Sequence, residues 1–160
     1  TGTTMTTETG TTMTTETGAT SFSPIDGVWA VTMMSFTKNA CNLEDDGKQI
    51  ALGLMNIDAN TFSLRDMEDP MLTFECVLTE SAKHYACSSV AMSDKMKGFD
   101  AILSTTFTPE VFFDSDAAAE MPIDMTVECA GKDCAKVSAA TGMNLPCLTE
   151  VNFTLQLVGG

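Results

Sequence analysis

His84 is the only histidine in the chain, so imidazole-based acid–base chemistry has a single place to reside. A nucleophilic site needs such a base beside a Ser or Cys. No Gly-x-Ser-x-Gly or comparable signature accompanies His84, and it sits next to Tyr85 in a stretch that reads as a strand. The expectation is a hairpin residue and no catalytic site. A carboxylate pair for glycoside hydrolysis carries little weight here, because 22 Asp and Glu make coincidental pairs common. Asp114, Asp116 and Glu120 begin like a calcium loop, with oxygen ligands two apart. They lack the sixth-position Gly and the twelfth-position Glu, so a solvated loop is expected, as for the acidic turn at Asp45-Asp46-Gly47. The 12 methionines, among them Met33-Met34 and the Met92/Met96 pair, form no repeated Met-x-x-Met cluster that would suit Cu(I). They read as adaptable core filling. No metal and no cofactor is expected.

The six cysteines, Cys41, Cys76, Cys87, Cys129, Cys134 and Cys147, are the strongest chemical signal. None has Cys-x-x-Cys spacing, and with one histidine a zinc site is poorly supplied with ligands. An even count without metal spacing predicts three disulfides, and with them an extracellular or cell-surface location. The net charge of −14 argues against nucleic acid and against electrostatic docking on anionic lipid. It fits a soluble secreted protein kept apart from its copies by self-repulsion. No stretch approaches the roughly 20 apolar residues of a membrane span. With no basic-then-apolar leader, residue 1 reads as a processed end if the chain is exported.

These cysteines need a frame, and the pattern that supplies it has period two. Leu72, Phe74, Cys76 and Leu78 share one face; Ile123-Asp124-Met125-Thr126-Val127-Glu128-Cys129 and Val151-Asn152-Phe153-Thr154-Leu155-Gln156-Leu157 alternate fully. Such alternation makes half-buried antiparallel strands. Shorter candidates lie at 27–37, 48–56, 60–66, 83–92, 99–107 and 110–115. They are separated by turn signals such as Asp45-Asp46-Gly47, Asp69-Pro70 and Lys97-Gly98. The sum is an all-β, antiparallel sandwich or barrel of about nine strands, stapled by disulfides. One short helix is expected near 133–141, capped by Asp133 and stopped by Gly142. If 71–79 and 83–92 form a hairpin with Ser81-Ala82 at its tip, Leu78 faces Tyr85 and Cys76 faces Cys87. Directly opposed cysteines lie within disulfide reach. The other four leave three connectivities open, with Cys129, Cys134 and Cys147 suggesting that the helix is stapled to a flanking strand.

Asp26-Gly27-Val28-Trp29 carries a family resemblance. Gly27 and Trp29 at the start of the first strand resemble the Gly-x-Trp entry motif of lipocalins. The resemblance implies an antiparallel barrel with a ligand cavity and a helix before the last strand, loosely covering residues 25–158. The last strand departs from that pattern in having no Arg or Lys to pack on Trp29.

Residues 1–24 are a separate Thr/Gly-rich extension, in which TGTTMTTE occurs twice and begins a third time. Residues 25–160 are left as a single β-domain of roughly 140 residues, an ordinary domain size. The extension is compositionally similar to the tethers of bacterial surface lipoproteins, which would imply a lipid anchor upstream of residue 1. Its eight-residue period is even, so an extended chain puts Thr3, Met5, Thr7, Thr11, Met13 and Thr15 on one side. Two functions follow as expectations. One is a secreted or cell-surface structural subunit that self-associates, as an oligomer or filament, by adding its N-terminal strand to a neighbour's sheet. The alternative is a lipocalin-like, surface-tethered binder of a small apolar molecule.

Overall fold

The computed structural model describes residues 22–160. The strands are β1 (Gly27–Asn39), β2 (Ala51–Asp58), β3 (Thr61–Asp66), β4 (Thr73–Leu78), β5 (His84–Cys87), β6 (Val90–Lys95), β7 (Ile102–Ser115) and β8 (Ala118–Ala130). The helix α1 (Cys134–Thr141) then precedes β9 (Cys147–Gly159). All pairings are antiparallel, in the order β5-β4-β3-β2-β1-β9-β8-β7-β6. A further β5–β7 pairing closes 8 of the strands into a barrel, with β6 as the extra strand. Of the two all-β architectures that the alternation allows, the chain adopts the barrel.

Several strand boundaries differ from the expectation. The stretch expected as one strand over 83–92 breaks at Ser88-Ser89 into β5 and β6. The stretches at 99–107 and 110–115 are one strand, β7, running through Pro109. The Phe113 N–H donates to the Lys83 carbonyl across the β5–β7 seam. Stepping back by twos, the position of Pro109 faces the same edge, at the break between β5 and β6. A residue without an N–H sits there at little cost. Likewise β8 starts at Ala118 rather than 123, through Pro122. The β7–β8 ladder simply skips from Pro109↔Ile123 to Phe112↔Glu120 at that point.

The three disulfides are Cys76–Cys87, as the hairpin register predicts, with Cys41–Cys147 and Cys129–Cys134. Three such bonds belong to an oxidising, extracellular type of environment. Among the described residues no helix is long and apolar enough to cross a membrane. Gly142 ends α1 in the left-handed conformation as expected, its N–H donating to the Ser138 carbonyl. Asp133 occupies the N-cap position, but its side chain makes no capping hydrogen bond. Its carboxylate instead accepts the Asp100 N–H at 2.7 Å and pairs with Lys136 at 2.9 Å, tying the β6–β7 loop to the helix start.

The barrel interior has two halves. At the end where β1 begins and β9 finishes, Trp29, Phe62, Tyr85 and Phe113 pack as tilted and edge-on rings with centroids 4.8–5.7 Å apart. Phe22 packs tilted against Phe113, with centroids 5.2 Å apart, and lies under the Lys83 ammonium, so the entering chain plugs this end. Trp29 is 0 % exposed and its indole N–H donates to the Ile25 carbonyl at 3.0 Å.

Candidate binding site

The opposite half of the barrel is not filled. Inward-facing positions here carry a mixture of Met, Phe and branched aliphatic side chains that leaves space between them. β8 presents Met121, Ile123 and Met125 on its inner face, and β9 presents Val151 and Phe153. On β1 a bulge between Val31 and Met33 shifts the alternation, so that Met34 and Phe36 point inward and Met33 is 64 % exposed. Leu52, Phe74 and Phe107 complete the wall from β2, β4 and β7. They enclose a cavity of about 300 Å³, at the small end of the range of ligand pockets.

The mouth is formed by two loops. The β1–β2 loop supplies Leu43, Glu44 and Ile50; Asp66 at the end of β3 and Leu72 in the β3–β4 connection supply the other side. Among the described residues, Glu44 and Asp66 are the only charged side chains on the cavity wall. The Asp66 carboxylate is held in place by accepting the N–H groups of Glu68 (2.8 Å) and Asp69 (3.1 Å) through Oδ1. Cys41–Cys147 anchors the start of the β1–β2 loop to the first residue of β9, beside a small second core of Val127, Leu103, Leu145 and Met143. The loop that frames the mouth is therefore covalently fixed at its base.

His84 lies far from this cavity in the fold, at the closed-end seam. Its ring stacks on Phe112 with centroids 4.1 Å apart and 5° between planes. Nε2 meets Glu110 Oε1, and Nδ1 meets Thr79 Oγ1, both at 3.0 Å. Since His84 pairs with Phe112 in the short β5–β7 ladder, these contacts clamp the barrel where it closes. The candidate calcium residues are not brought together. Glu120 is engaged by Asn152 Nδ2 at 2.7 Å and by the Thr154 hydroxyl, while Asp114 and Asp116 flank the β7–β8 turn. Among the described residues no group of three His, Cys, Asp or Glu side chains is placed to hold a metal. Thr3, Met5, Thr7, Thr11, Met13 and Thr15 lie outside the described residues.

The sequence pattern identifies the inner faces but not the cavity residues as a site. Glu44 only precedes the acidic turn Asp45-Asp46-Gly47, and Asp66 reads as the end of a strand. Nothing local distinguishes them. Compared with known proteins, the chain matches no family model, no curated protein and no solved structure.

Proposed function

We propose that this protein is an extracellular or surface-held binding protein that carries a small apolar ligand in the open half of its barrel. The observation that carries this reading is the 300 Å³ cavity walled by apolar side chains in a barrel whose other half is close-packed. Protein interiors normally leave few voids larger than a water molecule. Lining one with Met and Phe gives a surface that adapts to a guest. The likeness to lipocalins belongs to this proposal: Gly27 and Trp29 stand at the plugged end, and the cavity opens at the other. Titration with the neutral dye N-phenyl-1-naphthylamine tests it. Saturable one-to-one fluorescence enhancement, displaced by a medium-chain alcohol, is the expected result; a linear, unsaturable signal contradicts the proposal.

A second reading, self-association by strand addition, draws on β6. The Met96 N–H donates to the Ala101 carbonyl. By the antiparallel alternation Val90, Met92 and Asp94 then face β7, and Ala91, Ser93 and Lys95 turn their backbone groups to an edge with no strand beside it among the described residues. On this reading the alternating residues 3–15 of a second copy fill that edge. Light scattering of the full chain and of a chain lacking residues 1–18 separates the cases. Strand addition predicts that only the full chain assembles, and identical monomers contradict it.

A further inference from the structure

We infer that the ligand of this cavity is an apolar primary amine, an ammonium head on a short hydrocarbon body, with Glu44 and Asp66 receiving the head at the mouth. The inference rests on the cavity being a ligand site and concerns which chemical class it selects. The interior contributes no polar group to orient a guest: Phe36, Phe74, Phe107, Met121, Ile123 and Val151 offer only apolar surface. The single place where a ligand's polar end finds a partner is the mouth, and both charged groups there are carboxylates. Asp66 is pre-positioned. Its Oδ1 is occupied by two backbone N–H groups, which fixes the side chain, and Oδ2 makes no hydrogen bond with the described residues.

The surroundings reinforce the sign. Asp45 and Asp46 follow Glu44 on one loop, and Glu68 and Asp69 follow Asp66 on the other. Lys48 is the one cation on these two loops, and it is already paired with Glu68 at 3.2 Å. An ammonium entering this mouth gains charge-assisted hydrogen bonds, stronger than neutral ones. A fatty acid of equal length would place its carboxylate beside two others on a chain of net charge −14, and like charges near a low-dielectric wall repel strongly. A neutral alcohol keeps the apolar term alone. The cavity's volume, about 300 Å³, keeps the body short.

Calorimetric titration of the full chain with octylamine, octanol and octanoate at low salt tests the inference. Octylamine is expected to bind at least about tenfold tighter than octanol, with octanoate weakest. In the Glu44→Gln/Asp66→Asn double variant that advantage should vanish, octylamine binding no tighter than octanol does to the same variant. The Asn oxygen can still accept the Glu68 and Asp69 N–H groups, so the turn is preserved. If octanol or octanoate binds wild type as well as octylamine does, the amine inference is overturned and the apolar-cavity reading stands. Survival of the amine's advantage in the double variant also overturns it. If none of the three binds, both fail together.

Discussion

The carbonyl oxygen of Gly159 occupies the place where a side chain on Gly27 would project. Gly27 has φ +146°, a backbone conformation that L side chains rarely adopt, and an added Cβ would meet that oxygen. The first and last strands of the barrel can thus pair closely just before Trp29 turns into the core. This gives the Gly-x-Trp pattern a physical cause: the Gly permits the close approach, and the Trp fills the plugged end. Gly27→Ala should cost about 1–3 kcal/mol through backbone strain alone. Urea unfolding followed by the fluorescence of Trp29, the only tryptophan, measures it. An unchanged midpoint would contradict the account.

The three disulfides should differ in worth. Cys41–Cys147 closes a separation of 106 residues, Cys76–Cys87 one of 11, and Cys129–Cys134 one of 5. Loop-closure entropy then predicts losses of about 5, 3 and 2 kcal/mol on replacing each pair by Ala. Removing Cys41–Cys147 also frees the loop at the cavity mouth, so this variant should lose dye affinity as well as stability. Denaturant midpoints and dye titration of the three double variants check the ranking.

Tyr85 is the only tyrosine and is 1 % exposed, and burial pushes its phenol above its ordinary range. A folded-state value raised above the unfolded one gives stability that is fully present below about pH 10 and is lost as pH rises through the folded value. Phenolate absorbance should therefore appear only at pH values where Trp29 fluorescence reports unfolding. Reversible titration near pH 10 with the fold intact would show that the closed end admits solvent.

Asp133 acts at the other extreme. The Asp100 N–H, and then the Lys136 ammonium, hold its carboxyl below the usual range. A lowered folded-state value gives stability present above about pH 4 and lost as pH falls through the folded value. Asp133→Asn should melt earlier than wild type at neutral pH. The difference should narrow below about pH 4 as wild type loses the same charge. A pH-independent gap in melting temperature would mean that the charge is not the cause.

The barrel was legible where a local rule carried global information. Cys76↔Cys87 followed from strand alternation and the turn at Ser81-Ala82, because a hairpin register is set by its own few residues. Val151, Phe153 and Met125 were recognisable as inward-facing for the same reason. The break at Ser88-Ser89 and the continuity through Pro109 were not legible. They depend on which edge of β7 each neighbour occupies, and that is settled only when the sheet closes. The cavity was hidden for a related cause. It is the space left after side chains from seven strands and two loops meet, and no window of sequence holds that sum. Glu44 and Asp66 are 22 residues apart, one in the β1–β2 loop and one at the end of β3, and only the ends of β1, β2 and β3 bring them to one mouth.

The most direct test of the central claim, that the open half of the barrel is a ligand site, is to fill it without unfolding it. Val151 is 3 % exposed and lines the cavity, so Val151→Phe projects a ring into existing space rather than into packed neighbours. The measurement is N-phenyl-1-naphthylamine affinity for wild type and Val151→Phe, taken with the melting temperature of each. The account predicts saturable binding to wild type, weakened by about tenfold or more in a variant that melts no lower, since the ring displaces the guest and restores packing contacts. Equal dye affinity in the two proteins, with the variant folded, would contradict it.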